Sequence, residues 1–402
     1  MKPLANTLAL GAVATLALTS ATPAQEITME QATPFEIAIP DATITDLRQR
    51  INATRFPDQI EGSGHDYGMD TQYLRGVLEY WANDYDWRAE EARLNAFDHF
   101  HAEIDGLRVH FIHERSVKED AIPLLLLHGW PSSFVQMLDI IPLLTDPERG
   151  QAFHVVVASL PGYGFSDIPT EPGMSVGRVA PLMNSLMVDV LGYDRYGIRS
   201  SDLGAGVASS MALSFPEAII GSHTGGTNPF LPPQIPEDLT PAEERHIADA
   251  QAWNASEMAY LQLHASKPQT IGAALNDSPA GLAAWIGEKF WRWTDNNGLI
   301  EDAIDRDAFL TNLTVYWATE TINPSMRLYY ETFRDQGGWG TPDVPVGYLM
   351  PVNDLFPTPR SWVERQGPVS HWTESAVGGH FMEWEEPEVV ADDLRAFFAT
   401  IE

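Results

Sequence analysis

Of the chain's 402 residues, 44% are hydrophobic and 20% charged, the composition of a folded soluble protein rather than of a disordered segment or a membrane bundle. Its 56 acidic against 24 basic residues leave a formal charge of -32, which repels phosphate backbones and anionic lipid and argues against nucleic acid and membrane surfaces as partners. Cysteine is absent, so disulfides, thiolate metal sites and cysteine nucleophiles are excluded and any chemistry must come from oxygen and nitrogen groups.

Met1-Lys2 precedes a short apolar run rich in Ala and Leu, then Thr22-Pro23-Ala24. A basic start, a short apolar stretch and small residues predict a secretory signal peptide over residues 1–24, because a spanning helix needs about 20 apolar residues. The mature product is expected to be periplasmic or secreted, with no stable membrane insertion. Residues 25–115 follow, with amphipathic helices predicted over 45–54 and 69–84. A β-hairpin comes next, in which residues 102–104 and 107–113 flank Asp105-Gly106.

From Ile122 the texture changes to short apolar runs ending in Gly or Pro, the mark of buried parallel strands: residues 123–127, 154–160, 196–200, 219–223, 344–349 and 371–377. Helical segments separate most of them, which predicts an α/β fold with a mostly parallel central sheet and helices on both faces. The stretch 226–337 has no strand pattern; helix-like segments at 241–264, 280–294 and 305–331 are dense in Trp and Tyr. It is read as a helical lid between two parts of the core, 116–225 and 338–402, placed where open α/β sheets bind ligands.

The sharpest local signal is Ser200-Ser201-Asp202-Leu203-Gly204, directly after a predicted strand. Small residues two before and two after a nucleophile permit the strained strand-to-helix elbow otherwise written G-x-S-x-G, and here Asp202 holds the exposed position. His128-Gly129-Trp130-Pro131 follows another strand and can aim the Trp130 N–H, with that of Leu203, at a developing oxyanion. Asp354 follows the strand 344–349, and His380 sits on the Gly378-Gly379 loop after the last strand. The order nucleophile, acid, histidine is that of the α/β-hydrolase fold. His99 with His101, and His110 with His113, lie on the hairpin without a clustered third ligand, so surface or packing roles are expected instead of a metal.

An aspartate nucleophile suits displacement at saturated carbon. Attack on an ester carbonyl would give an anhydride that collapses back, whereas attack on an alkyl carbon leaves an alkyl ester that activated water can open. No cofactor is needed. If an epoxide oxygen leaves, a tyrosine is a matched proton donor; if a halide leaves, Trp or Asn N–H donors are required.

The chain resembles the epoxide hydrolases of the microsomal and juvenile-hormone type from about Phe35 onward. The N-terminal part carries the likeness in Thr54-Arg55-Phe56-Pro57-Asp58, Tyr80-Trp81, Asp86-Trp87-Arg88 and Ile104-Asp105-Gly106-Leu107, and the insertion in Lys267-Pro268, Leu275-Asn276-Asp277-Ser278-Pro279 and Glu288-Lys289-Phe290. The resemblance implies a segment that wraps the core and braces the lid, Asp202 as nucleophile, His380 as base and Asp354 as the acid, with Asp343 or Glu374 as alternatives. It also implies that Tyr260 and Tyr329 donate to the epoxide oxygen, with Tyr330 the alternative if the helix register shifts. The elbow departs from the family's Gly-Gly-Asp-Trp-Gly at Ser200, Ser201 and Leu203. The expected partner is a small apolar or aromatic epoxide, since Trp253, Trp285, Trp291, Trp293 and Trp317 crowd the lid; homo-oligomerisation is left open. Two other functions compete: hydrolytic dehalogenation on the same residues, and hydrophobic-ligand binding without turnover.

Overall fold

The computed structural model describes residues 32–232, 234–335 and 340–401, so the expected signal peptide lies outside the described residues. The chain enters as β1 (Ala32–Pro34), three helices α1 (Asp41–Asn52), α2 (Thr71–Asn83) and α3 (Trp87–Leu94), and the hairpin β2 (His99–Ile104) and β3 (Leu107–Glu114). Asp105 and Gly106 both have positive φ, 51° and 77°, and Ile104 pairs with Leu107, which is the two-residue turn whose twist matches the strands it joins.

The apolar runs become β4 (Ile122–Leu127), β5 (Phe153–Ala158), β6 (Tyr196–Ser201), β7 (Ile219–Gly225), β8 (Val346–Pro351) and β9 (His371–Ser375), interleaved with α4 (Ile141–Thr145), α5 (Val176–Ser185) and α6 (Asp202–Ser214). The sheet order is β1-β2-β3-β5-β4-β6-β7-β8-β9. Pairing is antiparallel from β1 to β5 and parallel from β5 to β9. Leu124, Leu125, Leu126 and Leu127 are all fully buried, as a strand covered by helices on both faces requires.

Between β7 and β8 the described residues form six α-helices: α7 (Pro241–Glu257), α8 (Ala259–Ser266), α9 (Pro268–Leu275), α10 (Pro279–Trp293), α11 (Arg306–Thr319) and α12 (Ile322–Thr332). A reciprocal cap between Thr240 and Glu243 starts the first of them. This insertion docks on the N-terminal helices through polar bonds at the ends of buried aromatics. Trp81 Nε1 donates to Thr314 Oγ1 at 2.9 Å, Tyr85 and Thr311 share a hydroxyl bond of 2.9 Å, and Tyr73 donates to Glu301 at 2.7 Å. After β8 come α13 (Arg360–Glu364), then β9, α14 (Met382–Glu385) and α15 (Pro387–Phe398). Among the described residues no helix is long and apolar enough to cross a membrane.

The sheet topology brings the carboxyl ends of β4, β6, β8 and β9 to one edge, and every candidate core residue of the site follows one of those ends.

Candidate active site

Asp202 is the first residue of α6 and has φ of 50°, a left-handed conformation rare outside glycine and concentrated at functional turns. Two glycines make this turn sterically feasible. A Cβ on Gly204 would lie 2.4 Å from the Leu127 carbonyl oxygen, and one on Gly129 would lie 2.3 Å from Asp202 Oδ1. The β4 loop therefore presses against the carboxylate, and Trp130 N–H donates to Asp202 Oδ1 at 2.9 Å. His128 shapes that loop: Leu160 N–H donates to its Nε2, so its Nδ1 carries the proton and donates to the Gly129 carbonyl at 3.1 Å. Leu203, half-buried, occupies the first turn of α6, where N–H groups have no acceptor within the helix.

His380 Nε2 lies 3.5 Å from Asp202 Oδ2, while its Nδ1 is 2.8 Å from Asp354 Oδ1. Asp354 is held in turn by N–H donation from Thr227 and from Leu355. The other acids considered stand elsewhere: Asp343 is exposed, and Glu374 accepts from Trp372 Nε1 at 3.2 Å. Desolvation would push the His380 imidazole down, but the Asp354 and Asp202 carboxylates on its two sides outweigh it and hold its pKa up at about 10.

The insertion lowers a ring of aromatics onto this array. Tyr260 is stacked on Trp130 with centroids 5.3 Å apart, and Tyr329 meets both Trp130 at 6.1 Å and Tyr260 at 6.3 Å, edge on. Burial first, then the charge on Asp202, raises both phenols well above their ordinary value and keeps them protonated. The Tyr329 hydroxyl is buried without a hydrogen-bond partner. Tyr163 and Tyr316 are equally buried nearby, yet their hydroxyls donate to the Ser325 and Ser132 carbonyls. Tyr330 points elsewhere, with the Arg334 guanidinium 3.5 Å over its ring. Of the five tryptophans considered, Trp293 comes nearest the array, 5.2 Å from His380 and 5.4 Å from Tyr260. Trp253 packs behind Trp293, Trp285 donates to His264, Trp291 stacks on His65, and Trp317 lies under Arg50.

Groups that sequence reasoning missed support the array from below. Arg199 on β6 and Glu383 on α14 form a fully buried ion pair of 2.8 Å, and Gln136 donates to the same carboxylate. Arg199 also donates to His223 Nδ1 at 3.0 Å. His223, His371 and Asp393 lie close enough to share an ion. However, a guanidinium can only donate, so His223 Nε2 must carry the ring proton that it gives to Asp393 at 2.8 Å, and no lone pair there faces an ion. That trio is a hydrogen-bond junction of β7, β9 and α15. The hairpin histidines are packed too: His99 and His110 share a bond of 2.9 Å, while His101 and His113 meet the Phe165 carbonyl and the Tyr193 hydroxyl.

The model of the family described as epoxide hydrolase N terminus matches residues 32–137, and that of the alpha/beta hydrolase fold matches residues 122–302. A putative epoxide hydrolase of Stigmatella aurantiaca is 42% identical over 91% of this chain and 84% of its own length. The crystal structure of the juvenile hormone epoxide hydrolase of the silkworm Bombyx mori superposes with a TM-score of 0.81 at 34% identity, covering 92% of this chain and 93% of that one. The epoxide hydrolase of Aspergillus niger superposes with a TM-score of 0.83 at 33% identity, covering 92% and 96%. With that likeness running through the sheet, the N-terminal segment and the helical insertion, the chain belongs to the epoxide hydrolases of α/β-hydrolase fold.

Proposed function

We propose that the chain opens small apolar or aromatic epoxides to vicinal diols in two steps, through an alkyl ester on Asp202. The observation that carries this is the position of the Asp202 carboxylate, with Oδ1 on the Trp130 N–H and Oδ2 beside His380. In the first step Oδ2 attacks an epoxide carbon, the carbon–oxygen bond breaks, and the alkoxide takes a proton relayed by Tyr260 or Tyr329. The relayed proton has a source. Free enzyme with a His380 pKa near 10 holds an imidazolium between two carboxylates; the tyrosine gives the alkoxide its proton, and once ester formation has removed the Asp202 charge the proton that restores the tyrosine comes from the ring or, where the ring is replaced, from solvent.

In the second step neutral His380, with its Nδ1–H on Asp354, takes a proton from water at Nε2. The hydroxide adds to the Asp202 carbonyl carbon, and the charge on Oδ1 falls on the Trp130 N–H, joined by that of Leu203. Collapse expels the diol and restores the carboxylate and the imidazolium. Oδ1 already occupies the donor site before the reaction, so little needs to move. The insertion acts as a lid that keeps bulk water from the ester, and the N-terminal apolar run supports export of the mature chain. No step calls for a cofactor.

His380→Gln protein mixed with an aryl epoxide should gain the mass of one substrate on the peptide containing Asp202. Absence of that adduct while the wild type turns over sinks the covalent scheme. A second activity has one observation in its favour: Trp130 Nε1 and Trp293 Nε1 are buried without partners, the donor type a departing halide needs. Halide release from a haloalkane, abolished in Asp202→Asn, would establish it.

A further inference from the structure

Four consecutive amides, those of residues 378–381, carry His380, and each has a defined acceptor. Gly378 N–H donates to Asp295 Oδ2 at 3.1 Å, Gly379 N–H to Glu385 Oε2 at 2.8 Å, His380 N–H to the Trp293 carbonyl at 2.7 Å, and Phe381 N–H to Glu385 Oε1 at 2.9 Å. Two of the four thus end on one carboxylate and two on the segment that leaves α10. Those two anchors are joined: Asp295 N–H donates to Glu385 Oε2 at 2.7 Å. Asp295 Oδ2 further accepts from Asn353 Nδ2 at 3.0 Å, and Asn353 immediately precedes Asp354. The segments touch so closely that a Cβ on Gly379 would lie 2.5 Å from the Trp293 oxygen.

We infer that Glu385 is a positioning residue, the common anchor through which the helical insertion sets His380 against Asp354 and Asp202. Its carboxylate offers lone pairs on two oxygens to three N–H donors from two segments, one of them in the insertion and two flanking the imidazole residue. It touches neither the nucleophile nor any reacting atom. A glutamine in its place has a single acceptor oxygen, and its amide N–H groups would confront at least one of the three donors, leaving that N–H unpaired. The imidazole then loses its fixed aim, and misplacement on the order of 1 Å lowers a step by about 10²-fold.

The inference rests on the two-step scheme, because only the second step uses His380 as a base. In single-turnover mixing with styrene oxide, followed by intact-protein mass spectrometry, Glu385→Gln should form the ester at near the wild-type rate and hydrolyse it about 10²-fold more slowly, so that ester accumulates. Glu385→Asp, which keeps a carboxyl group with two acceptor oxygens, should recover part of the hydrolysis rate. Asp295→Ala removes the acceptor of Gly378 N–H and of Asn353 Nδ2 while leaving the Asp295 N–H free to donate to Glu385, and serves if Glu385→Gln fails to fold; it too should slow hydrolysis more than alkylation. His380→Gln is the reference: if it forms no ester, the two-step scheme itself is wrong. If His380→Gln accumulates ester while the folded Glu385 and Asp295 variants slow both steps equally, or neither, the anchor role is overturned.

Discussion

Gly129 and Asp202 approach each other so closely that the glycine's missing side chain is a condition of the site: a Cβ there would sit 2.3 Å from Oδ1 and 2.7 Å from Cγ. The backbone of Gly129 is not left-handed, so the constraint is steric contact alone. Gly129→Ala should push the β4 loop off the carboxylate and break the Trp130 N–H contact. Loss of one such donor lowers turnover by about 10² to 10³-fold, and steady-state kinetics on the alanine variant, with circular dichroism to confirm folding, checks it. A variant with undiminished kcat would show that the loop yields freely.

His380 should betray its two carboxylate neighbours by titration. Its pKa is raised from 6.5 to about 10 in the folded chain, so the stability it contributes is fully present below about 6.5 and lost as pH rises through about 10. Asp202→Asn removes one of the two charges that raise it. The imidazole resonances of that variant should titrate at lower pH, and its melting temperature should fall less between pH 7 and 10. Identical imidazole titration in the two proteins would contradict the ion-pair geometry.

Tyr329 and Tyr163 offer a matched pair of deletions. The Tyr329 hydroxyl has no partner, whereas that of Tyr163 donates to the Ser325 carbonyl at 3.1 Å. Tyr329→Phe should leave stability unchanged or raised and slow ester formation by about 10 to 10²-fold. Tyr163→Phe should cost about 1 kcal/mol of stability and leave the chemical step largely intact. Denaturant unfolding together with single-turnover rates separates the two.

The Arg199–Glu383 pair should prove expensive to break. Both side chains are fully buried, so Glu383→Gln leaves an uncompensated guanidinium beneath the sheet and should destabilise by about 3–5 kcal/mol. Arg199 lies three residues before Asp202, and Glu383 three after His380. The destabilisation measured by urea unfolding should therefore come with a loss of turnover.

Those four tests address groups of unequal legibility. The parallel strands were readable because continuous apolar runs such as Leu124 to Leu127 have no other use in a chain of this composition, and the elbow because a strand ending in Ser200-Ser201-Asp202 with Gly204 leaves few alternatives. The insertion was recognisable by its lack of strands. Which of its tyrosines meet the nucleophile came only through family likeness, since Tyr329 and Tyr330 are successive residues of one helix that turn to different neighbours. Arg199 was invisible inside a strand expected to be apolar, and Glu385 stood in a run, Glu383 to Glu386, whose simplest reading is a solvated acidic face. Each role depends on at least one partner 90 or more residues away, Glu383 for Arg199 and the Asp295 N–H for Glu385, and one-dimensional pattern carries nothing about such pairs.

The bonds from Trp81 to Thr314 and from Tyr85 to Thr311 span 233 and 226 residues of chain. At synthesis rates of about 5–20 residues per second, the N-terminal helices therefore emerge some 10 to 50 s before the segment that covers their aromatic faces exists. Through that interval Trp81 and Tyr85 lack the partners that the insertion gives them, and a chain stopped before residue 311 leaves that side of the N-terminal helices uncovered.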